Sequence, residues 1–150
     1  MTGRSEILID APAERVFDAV VDFSKHPAWK KGLRVQPDTP GPTRVGSTFT
    51  SWGRHPEKHR PNHETVTELD AGHTLAFDGV DPRLGVFHHR FTVEPIGAST
   101  RVTRTASADL APWPLRLVLP LASRTLVPYM LGRDLRALKR HCESVSDREL

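Results

Sequence analysis

Several features that would place the chain in a functional class at once are missing. Of its 150 residues only one is cysteine, Cys142, so no intrachain disulfide can form and a cytoplasmic setting is the economical expectation. Residues 1–10 hold one basic residue, Arg4, and no apolar run of signal length, so secretion is not expected. There is no P-loop and no G-x-G-x-x-G, so no cofactor is implied; without a G-x-S-x-G elbow a hydrolase triad has no support either. The 21 Lys and Arg exceed the 18 Asp and Glu by only three and are scattered, which argues against a nucleic-acid partner. Thirteen prolines are many, but they fall singly at element ends and punctuate a folded chain. At this length one domain, residues 1–150, is the simplest reading, and such a domain buries about 68–70% of its unfolded surface.

What is present begins with Ile7 to Trp29. Ile7 and Ile9 have strand spacing and lead through Asp10 and Ala11 to Pro12, which suits the first position of a helix because its missing N–H would be unpaired there anyway. Ala11 then becomes the N-cap and Glu14 the third helical residue, reaching back to the cap. Val16, Phe17, Val20 and Val21 form one apolar stripe, and Ser24 is expected to cap a short second turn that stops before Pro27, with Trp29 at the edge of the core.

From Leu33 to Leu110 the pattern is strands only. A short one is expected at 33–36, then Ser47 to Gly53, His63 to Leu69, Thr74 to Val80, Val86 to Glu94 and Thr100 to Leu110, joining residues 5–9 in an antiparallel sheet. The last two make a hairpin through Ile96 to Ser99, with Gly97 at its turn. Placing Ile96 opposite Ser99 pairs Val93 with Val102, Phe91 with Arg104, His89 with Ala106 and Phe87 with Ala108. A shift by one residue would turn Phe87, Phe91 and Val93 to the polar side, so the hydrophobic pattern selects the register. His89 and Arg104 then point inward as diagonal neighbours, while His88 faces out.

Beyond Pro112 a helix is expected, with Pro114 near its start and Pro120 and Pro128 as kink positions. Leu131, Leu135, Leu138 and Cys142 form its apolar face, Cys142 as a packed thiol. The segment 113–127 is apolar on nearly all sides; Arg116, Pro120, Arg124 and Pro128 prevent it from spanning a bilayer. His55, His59 and His63 are four apart, but Pro56 and Pro61 forbid the helix that would gather them, so a solvated loop is expected and no metal site.

The opening I-x-A-P-x-E-x-V-F-x-x-V-x-D, Pro27-x-Trp29, the G-x-T-F at Gly46, V-T-E-L-D at Val66, S-T-R-V-T after Gly97 and the terminal D-L-R-A-L-K-R together resemble the SRPBCC (START-like) superfamily, in its polyketide cyclase/dehydratase-like branch. The resemblance implies an α+β helix-grip fold: a curved antiparallel β-sheet wrapped around a long C-terminal α-helix, with two short helices after the first strand. It also implies a pocket between sheet and helix that takes a small hydrophobic molecule, such as a lipid, polyketide or aromatic compound. Trp29, inward strand residues (Phe77, Phe87, His89, Phe91, Arg104) and the helix residues Val127 and Leu131 are expected to line it.

The family carries both binding and catalysis, so the activity must be argued from the site. Burying His89 or Arg104 unpaired would be costly, so each either meets a ligand or pairs with an acid such as Glu64 or Glu68. Binding of a hydrophobic ligand is the first expectation. A polyketide aromatase/cyclase or dehydratase is the alternative, with Arg104 holding an enolate or carboxylate and His89 exchanging a proton. A third is an interaction module docking through 113–127, which could also meet a membrane surface or a second subunit of a homodimer.

Overall fold

The computed structural model describes residues 2–53, 59–110 and 113–146. Seven antiparallel strands form one curved sheet: β1 (Thr2–Ile9), β2 (Arg34–Pro37), β3 (Thr48–Trp52), β4 (Pro61–Asp70), β5 (Thr74–Asp81), β6 (Gly85–Ile96) and β7 (Ser99–Leu110), in the order β1-β7-β6-β5-β4-β3-β2. Between β1 and β2 lie α1 (Ala13–Val21), a 3-10 turn (Phe23–Lys25) and α2 (His26–Trp29); α3 (Trp113–Ser146) closes the chain. The sheet grips α3, which packs chiefly along β1 and also against β7. This is the helix-grip arrangement.

The β6–β7 register is the one that the hydrophobic alternation selects, from Ile96 opposite Ser99 through Phe91 opposite Arg104 to Phe87 opposite Ala108. Phe91, Val93 and Val102 are accordingly buried on one face with Leu75, Phe77 and Val66. The core continues through Val16, Phe17 and Val20 of α1 to Leu135, Leu138 and Cys142 of α3.

Local details at the start of the chain differ from expectation. Pro12 is the N-cap of α1, with extended backbone (ψ 144°), and no side chain caps that end; its carbonyl accepts from the Val16 N–H at 3.1 Å. A proline is already fixed at the φ that the cap adopts, so the helix starts one residue later than the rule for a first-turn proline suggests. The second turn is capped by Asp22, whose carboxylate accepts from the Ser24 N–H at 3.0 Å, and not by Ser24. Pro27 lies inside α2 and does not stop it, because a proline in a first turn forfeits no intrahelical bond. Pro120 and Pro128 likewise lie within α3, which runs as one 34-residue element.

Two glycines let α3 approach the sheet. A Cβ on Gly3 would come within 2.4 Å of Val127 Cγ1, and one on Gly132 within 3.2 Å of Ser5 Oγ. Val127 is β-branched and stiff at χ1, so it cannot swing aside cheaply. Gly3→Ala is therefore expected to cost about 1–3 kcal/mol of stability through overpacking. In urea denaturation the double variant Gly3→Ala/Val127→Ala should recover part of that loss; losses that simply add would show that this contact does not set the helix position.

His26 is buried in the core, stacked on Phe23 with centroids 4.7 Å apart, and its Nε2–H donates to the Val20 carbonyl at 2.7 Å. Burial lowers its pKa to about 3 from 6.5, so the folded protein holds it neutral. Between those two values the unfolded chain binds a proton that the native state refuses, and stability falls as pH falls, by about 1.4 kcal/mol per unit for this one group. Above the unfolded value the contribution is constant. The stability difference between pH 7 and pH 5 should shrink by about 2 kcal/mol in His26→Phe; an unchanged difference would contradict a neutral native His26.

Candidate functional site

Inward alternation along four strands and one face of α3 brings polar groups together at one end of the core. On β7, Arg104 follows Val102 at strand spacing and is 4% exposed. Its Nη1 donates to Asp134 Oδ2 of α3 at 2.6 Å, and its guanidinium lies over the Phe91 ring, 5.0 Å from the centroid. Arg104 Nε is buried and has no hydrogen-bond partner. On β6, His89 stacks on Phe77 with centroids 4.9 Å apart, and its Nδ1 is likewise buried without a partner. Lys30, directly after α2, places Nζ 3.4 Å from Asp134 Oδ2 and 5.9 Å from the centre of the Trp29 ring. On β4, Glu64 Oε1 accepts from Ser51 Oγ of β3 at 2.6 Å.

The electrostatics follow from this packing. Burial, reinforced by Arg104 and then Lys30, pushes the His89 pKa well below its ordinary value, so the ring is neutral. Lys30 is lowered by the same burial and by Arg104, with Asp134 opposing. For Asp134, burial favours the protonated form, but Lys30 and Arg104 outweigh it and hold the carboxyl below its usual range. Glu64 goes the other way: burial raises it, and the Ser51 hydrogen bond only partly offsets that. The cluster thus combines an ionised carboxylate shared by two cations, a carboxyl held toward its acid form and a neutral imidazole.

These groups line a cavity of about 750 Å³ between the sheet, α2 and α3. Of the eight residues expected to line a pocket, Trp29, Phe77, His89 and Arg104 border it. Phe87 borders a smaller space of about 180 Å³, which shares Asn62, Glu64 and His89 with the larger one. Phe91 lies in the core beneath Arg104, and Val127 and Leu131 pack against Gly3, so these three lie away from the cavity lining. Glu68 is not the acid that satisfies Arg104. A β-bulge after Val66 turns it outward opposite Ala76, and it forms a two-point ion pair with Arg90 at 2.7 Å on the other face of the sheet. His88 also faces out, with Nδ1 2.7 Å from Asp78 and Nε2 3.1 Å from Asp109; those hydrogen bonds raise its pKa. Cys142 is buried and its thiol is pushed up to about 11, which suits packing and not nucleophilic attack. His63 lies on β4 and His55 outside the described residues; among the described residues no group of three His, Cys, Asp or Glu side chains is arranged to hold a metal.

Lys30 and Asp134 are the charged members of this cluster that the strand and helix patterns did not single out. A signal for Asp134 was present: it is three residues after Leu131 and four before Leu138, on the same face of the helix. Lys30 carries no such periodic mark, since it follows α2 in irregular chain.

No curated protein matches the chain at a significant level. Among solved structures, a protein of Thermus thermophilus superposes with TM-score 0.79 at 18% identity, over 97% of this chain and 99% of that one. A START superfamily protein of Mycobacterium smegmatis gives 0.76 at 14% identity, over 96% and 98%. The di-domain ARO/CYC BexL gives 0.73 at 21% identity, over 97% of this chain and 47% of that larger one. These likenesses share the helix-grip fold. The family model described as polyketide cyclase / dehydrase and lipid transport matches residues 2–143, and with the match running over nearly the whole chain, this protein belongs to that family.

Proposed function

We propose that the protein binds a small hydrophobic molecule, of the lipid, polyketide or aromatic class, in the cavity between the sheet and α3. The observation that carries this reading is the pair of buried polar atoms, Arg104 Nε and His89 Nδ1, which find no partner in the protein beside a cavity of about 750 Å³. A buried donor or acceptor left unsatisfied costs about 1–3 kcal/mol, and an occupant with polar atoms at one end would remove that cost. The volume is within the usual range for small-molecule sites, and Trp29 and Phe77 offer aromatic surface.

A second reading is catalysis of the cyclase or dehydratase kind, and the inward placement of His89 and Arg104 on neighbouring strands favours it, although burial and the nearby cations make His89 a weak base until an anionic occupant offsets them. A neutral imidazole can take a proton from carbon while a guanidinium stabilises the oxyanion that forms. Binding remains the first reading because it needs only the cavity and the two unpaired atoms.

Native mass spectrometry of the purified protein, followed by extraction, is expected to show a retained small molecule. With that molecule, His89→Ala and Arg104→Ala should each weaken affinity by about tenfold, the equivalent of one hydrogen bond to a charged or buried group. Unchanged affinity in both variants would remove the two residues from the site. Turnover of the extracted molecule, lost in His89→Ala with the fold intact, would move the protein to the catalytic reading.

A further inference from the structure

The charge of the cavity identifies the class of its occupant. The described lining carries five cationic side chains, Lys30, Lys31, Arg104, Arg133 and Arg140, against two carboxylates, Glu64 and Asp134. The chain as a whole has 21 basic and 18 acidic residues, so the excess of three at the cavity equals the entire formal excess of the protein. The remaining sequence is balanced. Of the two cavity carboxylates, Asp134 is already shared between Arg104 and Lys30, and Glu64, whose pKa burial raises, accepts from Ser51. Arg104 Nε is buried and unpartnered, and an ammonium has three N–H donors, of which the contact with Asp134 uses one at Lys30.

Resting on the reading of the cavity as a binding site, we propose that its occupant is an amphiphilic monoanion, an apolar body ending in a carboxylate. The carboxylate lies at Lys30 Nζ and the Arg104 guanidinium, and the body lies against Trp29, Phe77 and Met130, which border the same space. A planar two-oxygen acceptor suits one guanidinium N–H and one ammonium, and in a desolvated site charge-assisted bonds of this kind are about twice as strong as neutral ones. Lys31, Arg133 and Arg140 are exposed at the mouth, where they attract an anion at long range and are screened by salt.

Three probes of one shape separate charge from apolar contact: 2-naphthoate, 2-naphthamide and 2-naphthylmethylamine, titrated calorimetrically into the protein. The naphthoate is expected to bind about tenfold or more tightly than the amide, with the amine weakest, and its affinity should fall as salt is raised. Lys30→Met is expected to lower naphthoate affinity by about tenfold and amide affinity by much less, because the acid loses a charge-assisted bond and the amide only an ordinary one. Arg104→Gln should do the same; because it also leaves Asp134 short of a partner, circular dichroism checks its fold and Lys30→Met carries the test if it unfolds. Equal binding of acid and amide to the wild-type protein would overturn the anion assignment and leave the pocket standing. Failure of all three probes to bind would instead overturn the pocket reading and this inference with it.

Discussion

The ion pair between Arg104 and Asp134 is the contact on which the arrangement of this protein depends. It joins the inner face of the sheet to the helix that the sheet grips, at a point where Arg104 is almost wholly buried. Two desolvated charges gain little net stability over a well-packed apolar pair, but removing either partner strands the other and costs about 3–5 kcal/mol. The pair therefore acts less as glue than as a positional constraint. Helix and sheet can slide past one another on leucine and valine contacts, which are non-directional; they cannot do so without breaking a 2.6 Å hydrogen bond between charged groups. Gly3 and Gly132 serve the same end from the steric side, because they hold α3 at a separation at which Asp134 reaches across.

That constraint explains why the cavity is polar at one end only. Lys30 reaches the same carboxylate oxygen as Arg104, so one acid orders two cations and leaves part of each donor set unused. The cations in turn make a charged His89 doubly unfavourable, through desolvation and through repulsion, and its ring stays neutral. A site of this kind presents fixed positive charge and a neutral imidazole at neutral pH without any movement of the protein. The outer face of the same strands has the opposite solution: Glu68 forms a solvated ion pair with Arg90, and His88 hydrogen-bonds to Asp78 and Asp109, contacts that contribute little to stability.

Most of the fold was legible in the sequence, and the reason is periodicity. Alternation over β6 and β7 specifies which residues face in, because a slip of one residue inverts both strands; Phe91 opposite Arg104 and His89 opposite Ala106 follow from that alone. Of the expected lining, Phe77, His89 and Arg104 lie at the cavity because of alternation along β5, β6 and β7, and Trp29 lies there at the end of α2. The misplaced residues are those whose position depends on something other than alternation. Phe91 faces in but is covered by the Arg104 side chain, and Val127 and Leu131 are turned toward β1 by the rotation of α3 about its axis, which an apolar stripe specifies only loosely. Glu68 looked like an inward acid because it is two residues from Val66, and a bulge undoes that parity.

Asp134 shows where such reading has to change. An apolar stripe is usually traced by asking which hydrophobic residues recur, and a charged residue inside the stripe is then passed over as noise. In this chain the acid within the stripe and the arginine within the alternation are each anomalous alone and explain each other together. A buried charge requires a partner of opposite sign, so an inward cation on the sheet implies an inward anion on whatever packs against it. Applied to the cluster as it stands, the same rule leaves a remainder: Arg104 and Lys30 share one ionised carboxylate, and a buried Nε still has nothing to donate to.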